Sequence, residues 1–376
     1  MPSSSLDYSK EPSRPQYELI VRKETPFNAE PRIQNLVEHY ITPEKYMFVR
    51  SHGPVPTHLD ESHIITVQGL ADAKQFSVQQ LKTQFEKAHV MMAMQCAGNR
   101  RDGLHRVKHT KGVIWGAAAV GNTTFAGCRL RDVLHAVGVV SYKNDLHVSF
   151  ESVEQVITCE ETACYGSSIP LCKALDEFGD VLLAYEMNGH TLTHDHGYPI
   201  RVVVPGYIGA RSVKYLKSIT VQDHESTSYF QQRDYKLLPA QVGTEQEAEE
   251  YWCKVPAIGE YNVQSFVCHP AHDSDKVVAE GTRLTAQGYA LSGGGRSIQR
   301  VDVSNDNGDT WQVAELYQPS MSARAWGWCL WTIKNIEYKG YPIVSRAVDS
   351  AGNVQQEYPV WNYRGVLNNA WRTVNL

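Results

Sequence analysis

The stretch VMMAMQCAGNRRDG, Val90 to Gly103, ends an apolar run on one cysteine, Cys96, and follows it with Arg100 and Arg101. A thiolate beside fixed positive charge has a lowered pKa. In that form it is a ligand for a soft, high-valent metal or a nucleophile. No general base is adjacent, which counts against the nucleophile, and a buried structural thiol explains the cysteine as readily as either. A second stretch, RVVVPGYIGARSVK, Arg201 to Lys214, ends a buried strand on a Pro-Gly turn. Its glycines let backbone approach a ligand, free N–H groups could face a phosphate, and Arg211 and Lys214 add positive charge. On spacing alone, a plain tight turn is at least as good a reading.

Other motifs carry less. THDHG sets His194 and His196 two apart, which suits hydrogen-bonded turn histidines better than a zinc site. Cys159, Cys164 and Cys172 lack the paired C-x2-C spacing of a metal centre. SGGGR, Ser292 to Arg296, reads as a loop between strands. The chain contains no GxSxG elbow and no Walker loop.

The elements that must position these residues follow from patterning. Residues 1–45 read as an extended arm punctuated by proline. HIITVQGL reads as a short strand, and Ser77 caps a helix through Phe85. HVMMAMQC is a strand buried on both faces that ends at Cys96. LRDVLHAVG is helical, with Gly138 as its stop. DVLLAYEMNGHTL is a strand that turns at Asn188-Gly189. PIRVVVPGYIGARSVKYLKSITVQ is a buried strand, a Gly-punctuated turn and a return strand. Helices and strands do not alternate regularly, so residues 46–250 read as α+β, not doubly wound. PAQVGTEQEAEEYW is acidic and reads as a linker. Residues 255–376 show short alternating strands with turn signals, including Asn307-Gly308, and read as an all-β sandwich of immunoglobulin-like type.

Net charge is −5 over 376 residues. A nucleic-acid partner is therefore not expected, and an anionic substrate would need a local cluster of arginines. No apolar run reaches the length of a membrane span. The scattered cysteines, with no secretory signal before them, read as mostly buried, reduced thiols of an intracellular protein. The last residues, TVNL, are a poor fit to a peroxisomal tripeptide.

QCAGNRR is a specific string. With FVRSHGPVP, YGSSIPL, LLAYEMNGHTLTHDHGYPIRVVVPGYIGARSVKYL, RDYK, GYALSGGGRSIQRVDVS and VWNYRGVLNNAW, in that order, it resembles the sulfite oxidase family, which includes eukaryotic nitrate reductases. The resemblance covers most of the chain. It implies a mixed α+β molybdenum-cofactor domain followed by an immunoglobulin-like domain that makes a homodimer. It also implies one molybdenum–molybdopterin per chain, with Cys96 as the thiolate ligand to the metal. Pterin contacts carry over to Phe48, Val49, Arg50, Ser51, His52, His196, Arg201, Ser212, Val213 and Lys214. Glu154 stands where the family often has aspartate. The substrate pocket carries over to Arg50, Arg101, Trp115, Tyr235 and Arg364.

The chemistry of a small oxyanion explains these residue types, because guanidinium forks match its geometry and stay charged. Nitrate reductases typically have methionine where this chain has Arg364, so the arginine favours sulfite. The resemblance is to the short plant form, without haem or flavin, which passes electrons to oxygen and makes hydrogen peroxide. A separate cytochrome as acceptor, a nitrate-reducing relative and a non-catalytic association module are the alternatives. Peroxisome and cytosol both stay open as compartments.

Overall fold

The computed structural model describes residues 6–70, 73–140, 145–158, 161–271, 278–319 and 324–372. Cys159 and the terminal TVNL lie outside the described residues. Among the described residues no helix is long and apolar enough to cross a membrane. Of the seven described cysteines, Cys96, Cys128, Cys268 and Cys329 are buried, while Cys172 and Cys253 are exposed.

Two five-stranded sheets build the first part of the chain. In one, Lys87–Gln95 pairs antiparallel with Val120–Arg129 over its whole length, from Lys87 opposite Cys128 to Gln95 opposite Val120. Leu182–Met187 lies on the other side of Val120–Arg129 and is flanked in turn by His190–Thr191 and Arg201–Val203. The other sheet runs Ala73–Ser77, Ile64–Gln68, Leu216–Gln222, His147–Ile157, Thr162–Pro170, with one parallel pair, Leu216–Gln222 on Ile64–Gln68. Short helices at Val78–Gln84, Leu130–Ala136 and Leu171–Leu175 follow strands directly. One continuous core includes residues of both sheets, among them Ile65, Phe150, Leu183, Val202 and Ile219.

The sequence reading of Arg201–Val203 and Leu216–Gln222 as a strand and its return needs correction. They belong to different sheets, and a single bridge, Arg201 with Lys214, links the ends of the turn between them. That turn therefore spans the junction of the two sheets.

The N-terminal reading is also corrected. Residues 1–45 do not stay extended: Leu19–Lys23 and Asn28–Pro31 form a hairpin whose second strand pairs with Val49–Arg50. All of Asn28–Pro31 is buried, polar residues included. Glu30 explains how this is stabilised. Its carboxylate accepts from Arg22 (2.6 Å) and from the N–H groups of Gly116 (2.6 Å) and Ala118 (3.1 Å), which satisfies its buried acceptors. The acidic linker stretch is ordered too. Thr244 caps a helix at Glu245–Glu249, and Ala248 and Trp252 pack with Leu104, Trp361 and Tyr363.

The C-terminal part is a sandwich. Gln264–His269, Arg283–Leu291, Cys329–Glu337 and Glu315–Tyr317 form one sheet, and Gln312–Val313, Ile298–Ser304 and Val344–Asp349 the other. Val267, Ala290, Val301, Trp331 and Ala347 belong to its core.

The helix at Val78–Gln84 tests the local reading. Ser77 Oγ accepts the N–H of Gln80 (3.1 Å), and the Gln80 side chain accepts the N–H of Ser77 (2.8 Å). Replacement of Ser77 by alanine is expected to cost about 1 kcal/mol, measured by urea denaturation, without loss of the fold.

Candidate active site

Cys96 owes its position to the strand before it. The nine-residue register carries the backbone straight to Ala119, whose carbonyl accepts the N–H of Cys96 (3.0 Å). A tight turn follows: Asn99 N–H bonds the Cys96 carbonyl, and Arg101 N–H bonds that of Gly98, each at 3.0 Å. The helix Arg101–Val107 starts there. Arg100 takes a left-handed conformation (φ 63°), which turns the two adjacent arginines to different sides.

Arg101 goes toward the thiol. Its side chain runs through a slot walled by Gly98, Gly112 and Gly365. A Cβ at Gly98 would sit 2.5 Å from its guanidinium, and one at Gly365 2.7 Å from its Cγ. Nε donates to the carbonyls of Arg364 (3.0 Å) and Gly365 (3.1 Å), and Nη1 to that of Val113 (2.6 Å). Burial lowers its pKa to about 10; Cys96 works against that shift, and Arg364 and Arg50 add to it. Arg100 does not join this group. It donates to the carbonyl of Ala370 and lies over the Phe266 ring, 5.0 Å from its centroid.

A pocket lies in front of Cys96. Its walls include Phe48, Arg50, His52, Cys96, Glu154, His196, Arg201, Ser212, Lys214 and Tyr235, all singled out in the sequence. Met47, Met94, Ala97, Tyr165, Asp195, Gly209 and Ala210 line it as well and were not foreseen. Asp195 lies inside the conspicuous THDHG motif, and Gly209 and Ala210 inside the glycine-punctuated Arg201–Lys214 turn, a stretch the sequence singles out; the others sit in apolar or small-residue runs that carry no chemical signal. Val49, Ser51, Val213, Arg101, Trp115 and Arg364 are not part of the lining itself. Val49 packs under the N-terminal hairpin, and Val213 belongs to the main core. Trp115 is fully buried in the same apolar cluster as Cys96, edge-on to Phe48, and its Nε1 has no hydrogen-bond partner among the described residues. Arg364 pairs with Asp234 (2.8 Å) on the flank shared with Arg50 and His52.

Partners across the chain hold the lining. Asn28 Oδ1 accepts from Arg50 Nη1 (3.1 Å). Burial works against the Arg50 charge, yet Tyr235, Cys96 and Asp234 outweigh it and hold its pKa above the ordinary value. Glu154 Oε1 accepts the N–H groups of His52 and Gly53, each at 2.9 Å. Gly53 is required there, since a Cβ would lie 1.8 Å from the Gln155 carbonyl oxygen. Burial raises Glu154, against Lys214. Arg201 donates to the carbonyls of His196 and Ser212, both at 2.9 Å, and Lys214 to that of Asp195 (2.9 Å). Burial lowers Arg201 to about 10, Lys214 to about 8 and His196 to about 4. Arg211, by contrast, turns away to Ser167 and the Ile258 carbonyl. Arg14, which carried no signal, clamps Asp195 through Nε and Nη2 (2.7–3.1 Å).

The donor set fits an anionic, polar cofactor. Arg201, Lys214 and Ser212 supply cations and a hydroxyl, and the buried Nε2 of His196 has no partner among the described residues. Among those residues no group of three His, Cys, Asp or Glu is placed to hold a metal. A metal here would meet one protein thiolate and bring its remaining ligands with it.

Residues 52–230 match the family described as oxidoreductase molybdopterin binding domain, and residues 255–376 the Mo-co oxidoreductase dimerisation domain. The chain belongs to the sulfite oxidase family. It is 41% identical to mouse mitochondrial sulfite oxidase, covering 100% of this chain and 70% of that one. Sulfite oxidase from Arabidopsis thaliana is 40% identical, with 98% and 96% covered. Barley nitrate reductase is 39% identical, with 93% and 41% covered. In fold, the sulfane dehydrogenase SoxCD of Paracoccus pantotrophus matches with a TM-score of 0.73 at 23% identity, over 93% of this chain and 84% of that one.

The depressed His196 sets an acid limb. The unfolded chain, with histidine near its ordinary value of about 6.5, binds the proton that the folded state refuses down to about 4. Stability from this group is therefore full above about pH 6.5 and falls as pH drops toward 4, by a few kcal/mol in all. In the cofactor-free protein, His196→Gln is expected to flatten that limb in denaturation curves taken across the window.

Proposed function

We propose that this protein oxidises sulfite to sulfate at a molybdenum–molybdopterin centre in the pocket before Cys96. The observation that carries the reading is the gathering of Cys96, Arg364, Arg50 and Tyr235 within electrostatic reach of Arg101, with Arg50, Cys96 and Tyr235 on the wall of one pocket. Bound cofactor would supply the transferable oxygen and take up two electrons.

The residues divide the remaining work. His196, Arg201, Ser212 and Lys214 hold the cofactor's pterin and phosphate, and Cys96 gives the metal its protein sulfur. Arg50, Arg101 and Arg364 receive the small, fully charged oxyanion; Arg101, whose partners are carbonyls alone, is the guanidinium that most needs its charge, while Arg364 already faces Asp234. Their fixed hydrogen bonds to carbonyls and to Asn28 orient it without reorganisation. Trp115 and Phe48 keep water out of the apolar side. Tyr235 and His52 share a hydrogen bond of 2.8 Å. His52 is held well below its ordinary pKa, by burial first and then by Arg50, Lys214 and Arg364, so it is neutral. For Tyr235 to donate toward the anion, the neutral ring must carry its proton on Nε2 and donate to the phenol oxygen.

Oxygen as electron acceptor, giving hydrogen peroxide, is the finer reading, and it rests on the resemblance of the sequence motifs to the plant form. A separate cytochrome is its competitor. Association as a homodimer through residues 255–376 is supported by the dimerisation-domain match and by Val313 and Tyr317, which are exposed on the sandwich.

Turnover with an artificial electron carrier is expected with sulfite and not with nitrate. Arg364→Met is expected to raise the sulfite KM about tenfold or more, the loss of a charged hydrogen bond, while molybdenum per chain stays at the wild-type level. Unchanged kinetics in that variant would remove Arg364 from the substrate site. With oxygen as the only acceptor, one hydrogen peroxide per sulfite is expected, and activity restored only by added cytochrome would favour the competitor.

A further inference from the structure

Arg100 faces a second cavity, of about 360 Å³, between the N-terminal hairpin, the Arg101–Val107 helix and the C-terminal sandwich. Its lining carries four arginines, Arg22, Arg100, Arg106 and Arg372, against two acids, Glu30 and Asp102. Three of the arginines are matched: Arg22 by Glu30 (2.6 Å), Arg106 by Asp102 (3.2 Å) and Arg372 by Glu357 (2.8 Å). Glu30 is further saturated by the N–H groups of Gly116 and Ala118.

Arg100 has no such match. It is 4% exposed. One arm, Nη2, donates to the Ala370 carbonyl, and its face lies over Phe266. The other arm, Nη1, is buried with no hydrogen-bond partner among the described residues. A buried guanidinium without an ion-pair partner is costly, and Tyr289 and Asp102 offset only part of the cost of burial here. Burial accordingly lowers its pKa. Asn368 holds the site from the C-terminal part, donating to the Arg100 carbonyl (2.9 Å).

We propose that this cavity is a binding site for a tetrahedral oxyanion, sulfate or phosphate, held by the free arm of Arg100 and distinct from the pocket before Cys96. The planar fork matches such an anion, and with the neighbouring arginines paired to acids the unbalanced positive charge of the lining is that of Arg100 itself. Because Arg100 and Arg101 are consecutive, the anion would brace the same turn that delivers Arg101 to the thiol. The site does not depend on the molybdenum chemistry.

Equilibrium dialysis of the full-length holoenzyme with labelled inorganic sulfate, and separately with phosphate, counts the sites. Two sulfates per chain are expected in the wild type, one lost in Arg100→Met and the other in Arg364→Met. A single sulfate that disappears in Arg100→Met and survives in Arg364→Met supports this site while counting against the substrate pocket. A wild-type stoichiometry insensitive to Arg100→Met overturns the proposal. Displacement of sulfate by phosphate at this site shows that it takes either anion, and failure of displacement narrows it to sulfate. Should Arg100→Met not fold, wild-type crystals soaked in selenate decide: a selenium peak within hydrogen-bond distance of Arg100 Nη1 is expected, and its absence overturns the site.

Discussion

Buried positive charge is the constraint on which the rest of this structure depends. Arg101, Arg201 and Lys214 are drawn out of water around one pocket, with Glu154 and Asp195 as nearby buried carboxylates, the latter clamped by Arg14. Burial depresses all three cations, Lys214 as far as about 8. Desolvated charge of one sign is expensive unless a counter-charge is supplied. The fold pays part of that cost with carbonyl oxygens: Arg201 takes those of His196 and Ser212, Arg101 those of Arg364, Gly365 and Val113, and Lys214 that of Asp195. Carbonyls are dipoles without net charge, so the site stays electrostatically suited to anions.

The same constraint explains why the parts of the chain interlock. The N-terminal hairpin brings Asn28 to Arg50, and the segment before it brings Arg14 to Asp195. The C-terminal part brings Arg364 and the carbonyls that fix Arg101. Residues 255–376 therefore contribute to the pocket's charge as well as forming a sandwich. Glycines permit this crowding. At Gly98 and Gly365 the Arg101 side chain occupies the space a Cβ would need.

Much of this was legible in the sequence, and the failures have physical causes. Cys96 stood out because an apolar strand ended on a thiol beside arginines. The sandwich was legible because alternation and turn residues are local signals. Residue types alone could not separate Arg100 from Arg101; a left-handed backbone at Arg100 does so, and that depends on tertiary context. Arg50 and Arg364 are more than 300 residues apart in number, so only the family resemblance connected them. Asn28–Pro31 went unrecognised as a strand because its polar residues are buried, satisfied by partners remote in sequence. The acidic stretch before residue 255 looked like a linker because its packing surface, Ala248 and Trp252, is small within a run of charge.

The central claim is that the sulfur of Cys96 binds molybdenum in an arginine-lined pocket. X-ray absorption at the molybdenum edge of purified protein tests it most directly. The account predicts that the wild-type metal has a sulfur neighbour beyond the cofactor's dithiolene pair and that Cys96→Ser loses one sulfur while the pterin remains bound. An identical sulfur count in the two proteins would contradict it.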